Sequence, residues 1–478
     1  MKPSLRYLSP EEIRRVHGAA LALLGEVGMR LPCAPVLEQL AQAGARVEDG
    51  ALVKIPAALV HEAIERAPKR DQVTLYGRVP ERDVHLASRA PAFASMTMAT
   101  HVIDPETDRR RPARLGDVGA LTRLIDRLEH VAVNGAPVTP QDVPGEVCDW
   151  YTWAESIKNT TKHVTGGVPG ARAVQDAVKM ASAAVGGEEA FRRRPFLSGW
   201  VLTLPPLEID HLSLEALIEL GRWNLPAMVS SGPIMGASSP MSVAATLAQA
   251  HAEILGCLVA SQLAHPGAPF VYTSFARIMD MRTANVSMAS PEFGVLKGAM
   301  AQMGRFLGLP VRMPGLLRDA KALDAQAGFE TGLTGTVAAL AADLVDAMQL
   351  DMDLLVDYAD LAFGNECMGA LRRLARELVV DDDALALEVI REVGPGGAFI
   401  EHEHTFERFR QELWQPALFE RRQWEPWERD GARTARERAL EQVREWMGPQ
   451  PASPLPPQAQ AQIDRIVAQA EQDLVRGG

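Results

Sequence analysis

Residues 227–274, AMVSSGPIMGASSPMSVAATLAQAHAEILGCLVASQLAHPGAPFVYTS, hold the unit from which the fold can be read. An apolar run over 227–232 ends in Ser, Ser and Gly, a long apolar helical stretch follows, and a second run over 270–274 exits through Thr and Ser. Parallel strands buried on both faces read as continuous apolar runs, and helices separate them because a parallel neighbour needs a crossover. The rhythm extends both ways, to runs at 131–134, 163–166, 196–203 and 311–315, with weaker ones at 343–347 and 378–380. Six to eight such units over roughly 270 residues predict an α/β protein built on a TIM-type (β/α)8 barrel. A doubly wound open sheet is the alternative. It usually brings a glycine-rich phosphate loop, and neither G-x-G-x-x-G nor G-x-x-x-x-G-K-S/T follows any of these runs.

Upstream, Ser9 followed by Pro10, Glu11 and Glu12 is an N-cap with proline and acids in the first turn, so a helix is expected to about residue 28. Helices around 36–43 and 56–66 follow. Period-two runs at 73–76, 84–86, 92–98 and 101–103, broken by Gly77, Pro80, Pro91 and Pro105, predict a small antiparallel sheet. Four segments result: an N-terminal α+β cap over 1–115, the barrel over 116–400, C-terminal helices over 401–448, and a proline-rich linker with a tail helix over 449–478. The tail carries Ile463, Ile466, Val467, Ala470 and Leu474 on one stripe. Such a stripe suits docking on a neighbouring subunit or on the chain's own barrel, or else marks a marginal surface helix.

The chain has 478 residues, with 49 Lys and Arg against 61 Asp and Glu, a formal net charge of −12. An acidic balance argues against a nucleic-acid partner, which needs a basic face to displace counterions. No uninterrupted apolar stretch approaches the length of a membrane span, so no membrane partner is expected. Cys33, Cys148, Cys257 and Cys367 lie far apart without a C-x-x-C pair, which suits a reducing compartment, and a cytoplasmic location is expected.

In a barrel the site lies in the loops after the strands. Three of these are unusual. One is SSGPIMGASSP leading to a helix with His251 and Glu253. A second is VYTSFARIMDMRTA, in which Tyr272, Phe275, Asp280 and Arg282 set aromatics beside both signs of charge. The third is RMPGLLRDAKALDAQAGFETG, with Arg318, Asp324, Gln326, Phe329 and Glu330. His163 enters a strand. His402 and His404 invite a zinc reading, but no third ligand of familiar spacing accompanies them, and no metal is expected.

These loops also carry a resemblance. GASSPMSVAATLAQAHAEILG, YTSFARIMDMRTA with SPEFG, RDAKALDAQAGFETG and FIEHEHTFERFRQELWQPALFERRQWEPWERDG resemble the trimethylamine methyltransferase family of corrinoid-dependent enzymes. The opening LSPEEIRRVHGAALALLGEVG and ALVKIPAALVHEAIERAP are similar too, so the likeness spans about residues 5 to 448. It implies a TIM barrel that passes a methyl group from an amine to the Co(I) of a separate small corrinoid-binding protein. This chain itself would hold no cofactor tightly. Trimethylamine enzymes of the family carry pyrrolysine in or beside the DAQAGFE stretch, where Ala327 and Gly328 stand here. That is similar to the non-pyrrolysine branch, whose members act on quaternary amines such as glycine betaine. One departure concerns the substrate: ADLVDAMQLDMDLLVDYADLAF replaces a glycine-rich strand exit.

A permanent cation is held by aromatic faces and a carboxylate, and a substrate carboxylate by an arginine. The expected cage is Tyr272 and Phe329, with Glu330 or Asp280 for the ammonium and Arg282 or Arg318 for the anion. Asp324, Gln326, His163 and His404 are further candidate contacts. A homo-oligomer is expected. Two other readings are a metal-dependent barrel hydrolase or lyase using His402 and His404, and a non-catalytic paralogue that binds a betaine or the corrinoid partner.

Overall fold

A computed structural model describes residues 3–88, 90–95, 98–447 and 453–475. Eight parallel strands close into a barrel: β1 Ala92–Ser95, β2 Val131–Gly135, β3 His163–Gly167, β4 Leu197–Leu202, β5 Ala227–Ser231, β6 Phe270–Ser274, β7 Val311–Leu317 and β8 Leu344–Gln349. The ring closes where β8 pairs with β1. Each strand is followed by an outer helix: α1 Leu115–Arg127, α2 Cys148–Asn159, α3 Gly170–Ala184, α4 His211–Arg222, α5 Val243–Ala264, α6 Pro291–Phe306, α7 Ala325–Ala341 and α8 Tyr358–Leu374. This is the expected (β/α)8 barrel.

Two of the expected boundaries differ. The run beginning at Ala92 is the first barrel strand, paired in parallel with β8 and β2, so the barrel begins inside the segment assigned to the cap. A run of four residues is too short to carry a mark that separates parallel from antiparallel pairing. Residues 378–380 form no strand: Leu378, Val379 and Val380 lie exposed beyond α8, where the barrel ends. Residues 96 and 97 of the expected 92–98 strand, and 449–452 of the proline-rich linker, fall outside the described residues.

Helices Pro10–Ala22, Ala34–Gln42 and Ala57–Arg66, with a three-stranded antiparallel sheet, pack over α5. Ser9 caps the first helix in a reciprocal box with Glu12, as expected. By composition α5 is apolar enough to cross a membrane, yet 83% of that stretch is buried between cap and barrel. The hairpin Thr74–Leu75 and Val84–His85 plugs the N-terminal end of the barrel, where Val73, Leu75, Val84 and Leu86 join the inward-facing core.

Side chains alternate along a strand, so register decides which residues enter the barrel. Trp200 of β4 stands opposite Met228 of β5, Ser230 opposite Thr273 of β6, and Thr273 opposite Arg312 of β7. These face inward. Tyr272, one residue out of phase, faces the helices and lies 2.8 Å from Nδ1 of His251 in α5.

The tail helix Pro457–Val475 docks on the chain's own barrel, against α2 and α3. Its Ile463, Val467 and Ala470 are buried, and Asp464, Glu471 and Asp473 bond Lys158, Tyr151 and Arg172 at 2.6–2.7 Å. Burial outweighs the exposed ion pairs. Ile463→Ala is therefore expected to cost about 2–5 kcal/mol in denaturant unfolding. Asp464→Ala should cost under about 1 kcal/mol.

Candidate functional site

At the C-terminal end of the barrel lies a cavity of about 550 Å3. Trp200, Met228, Ser230, Thr273 and Arg312 line its floor from the strands. Leu202 at the end of β4 and the loops beyond the strands add Thr203 to Pro205, Phe275, Arg277, Met288, Asp353 and Leu354. Arg312 bonds Asp346 of β8 at 2.8 Å, both side chains being essentially fully buried, and its guanidinium lies 4.4 Å from the centre of the Trp200 ring.

What marks this cavity is unmet hydrogen bonding. Trp200 Nε1, Ser230 Oγ, Arg277 Nε, Arg312 Nη2, Asp346 Oδ2 and Asp353 Oδ1 are shut off from solvent with no hydrogen-bond partner among the described residues. Native interiors satisfy nearly all such groups, so five on lining residues and a sixth on Asp346, the partner of Arg312, point to a polar ligand that completes them. Burial pushes the Asp353 carboxyl up to about 7, against the pull of Arg277 and with the push of Asp346 and Asp319. Burial likewise raises Asp346 despite Arg312. One carboxylate and two guanidiniums thus border a space floored by an indole, with the Asp346 carboxylate paired to Arg312 behind it. Such a set can hold a cation against an aromatic face and balance an anion elsewhere.

Buried carboxylates behind the lining fix the loops. Glu253 of α5 accepts Thr203 Oγ1 and Ser231 Oγ at 2.7 Å, Leu207 N at 2.9 Å and Gln249 Nε2 at 3.1 Å. It ties the β4 exit to the β5 exit. Asp319, after β7, accepts Met288 N at 2.8 Å and the Ser287 hydroxyl, holding the β6 loop.

None of the ten residues expected to contact substrate lines the cavity, although Phe275, noted beside them in the loop after β6, does. Glu330, Gln326, Asp324 and Arg318 do come together, but behind the β7 loop. Glu330 accepts Asp319 N at 2.9 Å, Ala320 N at 3.0 Å and Gln326 Nε2 at 2.7 Å. Asp324 caps α7 through Ala327 N. Arg318 is wholly buried, bonded to Asp360 and to Thr331 Oγ1. Phe329, 68% exposed, points off α7 into solvent. Asp280 and Arg282 pair with each other on a hairpin outside the barrel. His163 sits at the plugged end, 2.9 Å from Tyr76 O and Ser198 Oγ, and burial lowers it to about 4, so it stays neutral. His404 lies in a C-terminal helix, and its N–H donates to His402 Nδ1 as a cap, which uses that nitrogen for structure.

Arg312 of the lining and its partner Asp346, both absent from the sequence reading, had a signal. Arg312 in VRMPGLL and Asp346 in LVDAMQ are charges inside otherwise apolar barrel strands, which only a partnered or functional group sustains. Asp346 and Asp353 both fall in the stretch that departs from a glycine-rich strand exit. A wider groove of about 970 Å3 lies outside the barrel near the tail helix, where Arg192 already covers Trp223 at 4.0 Å.

Comparison with known proteins accords with this architecture. The model of the family described as trimethylamine methyltransferase (MTTB) matches residues 1–475. The chain is 34% identical to trimethylamine methyltransferase MttB of Desulfitobacterium hafniense strain DCB-2, over 97% of this chain and 94% of that one. It is 28% identical to glycine betaine methyltransferase of strain Y51 of that species, over 99% and 98%. Among solved structures, monomethylamine methyltransferase MtmB of Methanosarcina barkeri superposes with a TM-score of 0.53 at 11% identity, covering 97% of this chain and 87% of that one, a likeness of fold. With nearly every residue matched by the family model, the chain belongs to the trimethylamine methyltransferase family.

Proposed function

We propose that this chain is a methyltransferase moving a methyl group from a quaternary amine of betaine type to the Co(I) of a separate small corrinoid-binding protein. The observation that carries the reading is the unpartnered carboxylate oxygen of Asp353 in a cavity floored by Trp200 and walled by Phe275, with a second such oxygen on Asp346 behind the lining residue Arg312. Those groups suit a permanent cation, which cannot shed its charge on entering a buried site. The chain carries only standard residues, in keeping with the branch that acts on quaternary amines.

The corrinoid is a co-substrate that supplies a two-electron nucleophile. As the new bond forms to the methyl carbon, the C–N bond breaks with its pair on nitrogen, and a neutral tertiary amine leaves. No proton moves. The protein's own work is to desolvate the ammonium, orient one methyl toward the open end and keep water out. Met98, Leu202, Leu204 and Leu354, each at least 40% exposed, form an apolar rim suited to a covering partner. At the far end, exposed Leu378, Val379, Val380, Ile390, Ile400 and Phe406 support self-association of this chain. Operation in the cytoplasm fits four unbridged cysteines, three of them buried.

With free cob(I)alamin, the protein is expected to form methylcobalamin from a quaternary amine and not from trimethylamine, followed by visible absorbance. Trimethylamine turned over as fast as the best quaternary amine would refute the reading. Asp353→Asn is expected to lower kcat/KM by about 1.5–3 kcal/mol, roughly 10- to 150-fold. Its melting temperature should hold or rise, because the native site already disfavours the charge.

A further inference from the structure

Asp353 reaches the cavity from a turn that its sequence does not favour. Asp351, Met352 and Asp353 have φ of 52°, 55° and 72°, three consecutive non-glycine residues in the left-handed region. L-residues adopt it reluctantly, so neighbours must impose it. Those neighbours are on the β7 exit loop: Asp351 N donates to Ala320 O at 2.9 Å and Met352 N to Arg318 O at 3.0 Å. Lys321 adds a pair to Asp351 at 3.0 Å.

The peptide joining Arg318 to Asp319 is the link. Its N–H donates to Glu330 and its C=O accepts from Met352, and a trans peptide points these two groups in opposite directions within one plane. Whatever holds one edge therefore aims the other. Arg318 fixes the same peptide from its side chain, buried against Asp360 and Thr331. Neither Glu330 nor Arg318 touches the cavity.

We propose that Glu330 and Arg318 are positioning residues, holding the 318–319 peptide so that the 351–353 turn presents Asp353 to the substrate's ammonium. The inference rests on the amine reading above for the ligand, and on the hydrogen-bond geometry for the brace. Charged groups acting on Asp353 are Arg277, Asp346 and Asp319, with burial the largest influence. An Asp353 released from the turn would gain water and ionise at lower pH.

The test uses tetramethylammonium, a cation without other functional groups, titrated calorimetrically between pH 5.5 and 8.5, together with hydrogen exchange at the Met352 amide. Wild type is expected to bind more tightly as pH rises through about 7, where Asp353 ionises. Glu330→Ala should bind at least ten-fold more weakly at pH 8, with a lower pH midpoint and faster Met352 exchange. Glu330→Gln keeps an oxygen for the two amides and should stay within three-fold of wild type, whereas a direct ionic role would make it as poor as Ala. Met352→Pro breaks the turn from a partly exposed loop, where folding is spared, and should match Glu330→Ala in affinity and midpoint. Unchanged Met352 exchange in Glu330→Ala, or Gln as damaging as Ala, overturns the brace. A wild type that binds no tetramethylammonium at any pH, with Met352 exchange still dependent on Glu330, overturns the amine reading and with it the brace's role toward substrate.

Discussion

The ion pair between Arg312 and Asp346, sealed inside the barrel at 2.8 Å, is the constraint around which the site is organised. Two charges removed from water persist only when they are paired and their remaining hydrogen-bonding capacity is met. Here each keeps one atom unmet, Nη2 on one and Oδ2 on the other, and Arg312 lines the cavity with Asp346 paired to it from behind. The indole of Trp200 covers one side of the guanidinium, which ties β4 to β7 across the barrel. A substrate that fills the space completes a set the protein leaves incomplete, so binding energy is concentrated at the reacting end of the molecule.

A second tier of carboxylates controls the loops without lining the cavity. Glu253 gathers the exits of β4 and β5, Asp319 holds the β6 loop, and Glu330 holds the peptide from which the β8 loop hangs. Each accepts backbone N–H groups from loops that would otherwise move. A site built this way has rigid walls on flexible chain segments, and small changes one layer back become changes in substrate contact.

The barrel is legible in the sequence because buried parallel strands leave continuous apolar runs, and β2 to β7 fall where those runs predict. β1 is read as antiparallel for a physical reason: Ala92–Ser95 is short, follows Pro91 and sits in a series of equally short runs. Its parallel identity comes only from β8, some 250 residues away, which pairs with it. The family also shows in the ordered loop motifs. Site residues are harder. Tyr272 is the more suggestive residue for a cation, yet parity sends Thr273 inward and Tyr272 outward. A one-residue phase error flips every side chain, and nothing local to VYTS fixes the phase. Glu330 and Arg318 stand out in the unusual loop after β7, and both are buried, but as props to the backbone. Arg312 and Asp346 carry the same signal inside the strands, where inward direction follows once the ladder is known.

A crystal structure with a bound quaternary amine tests the central claim most directly. The ammonium is expected in the β-barrel mouth, against Trp200 and within contact of Asp353, with one methyl directed toward the rim of Met98, Leu202, Leu204 and Leu354. An amine seated instead beside Asp280 and Arg282, or in the outer groove near Trp223, would contradict it.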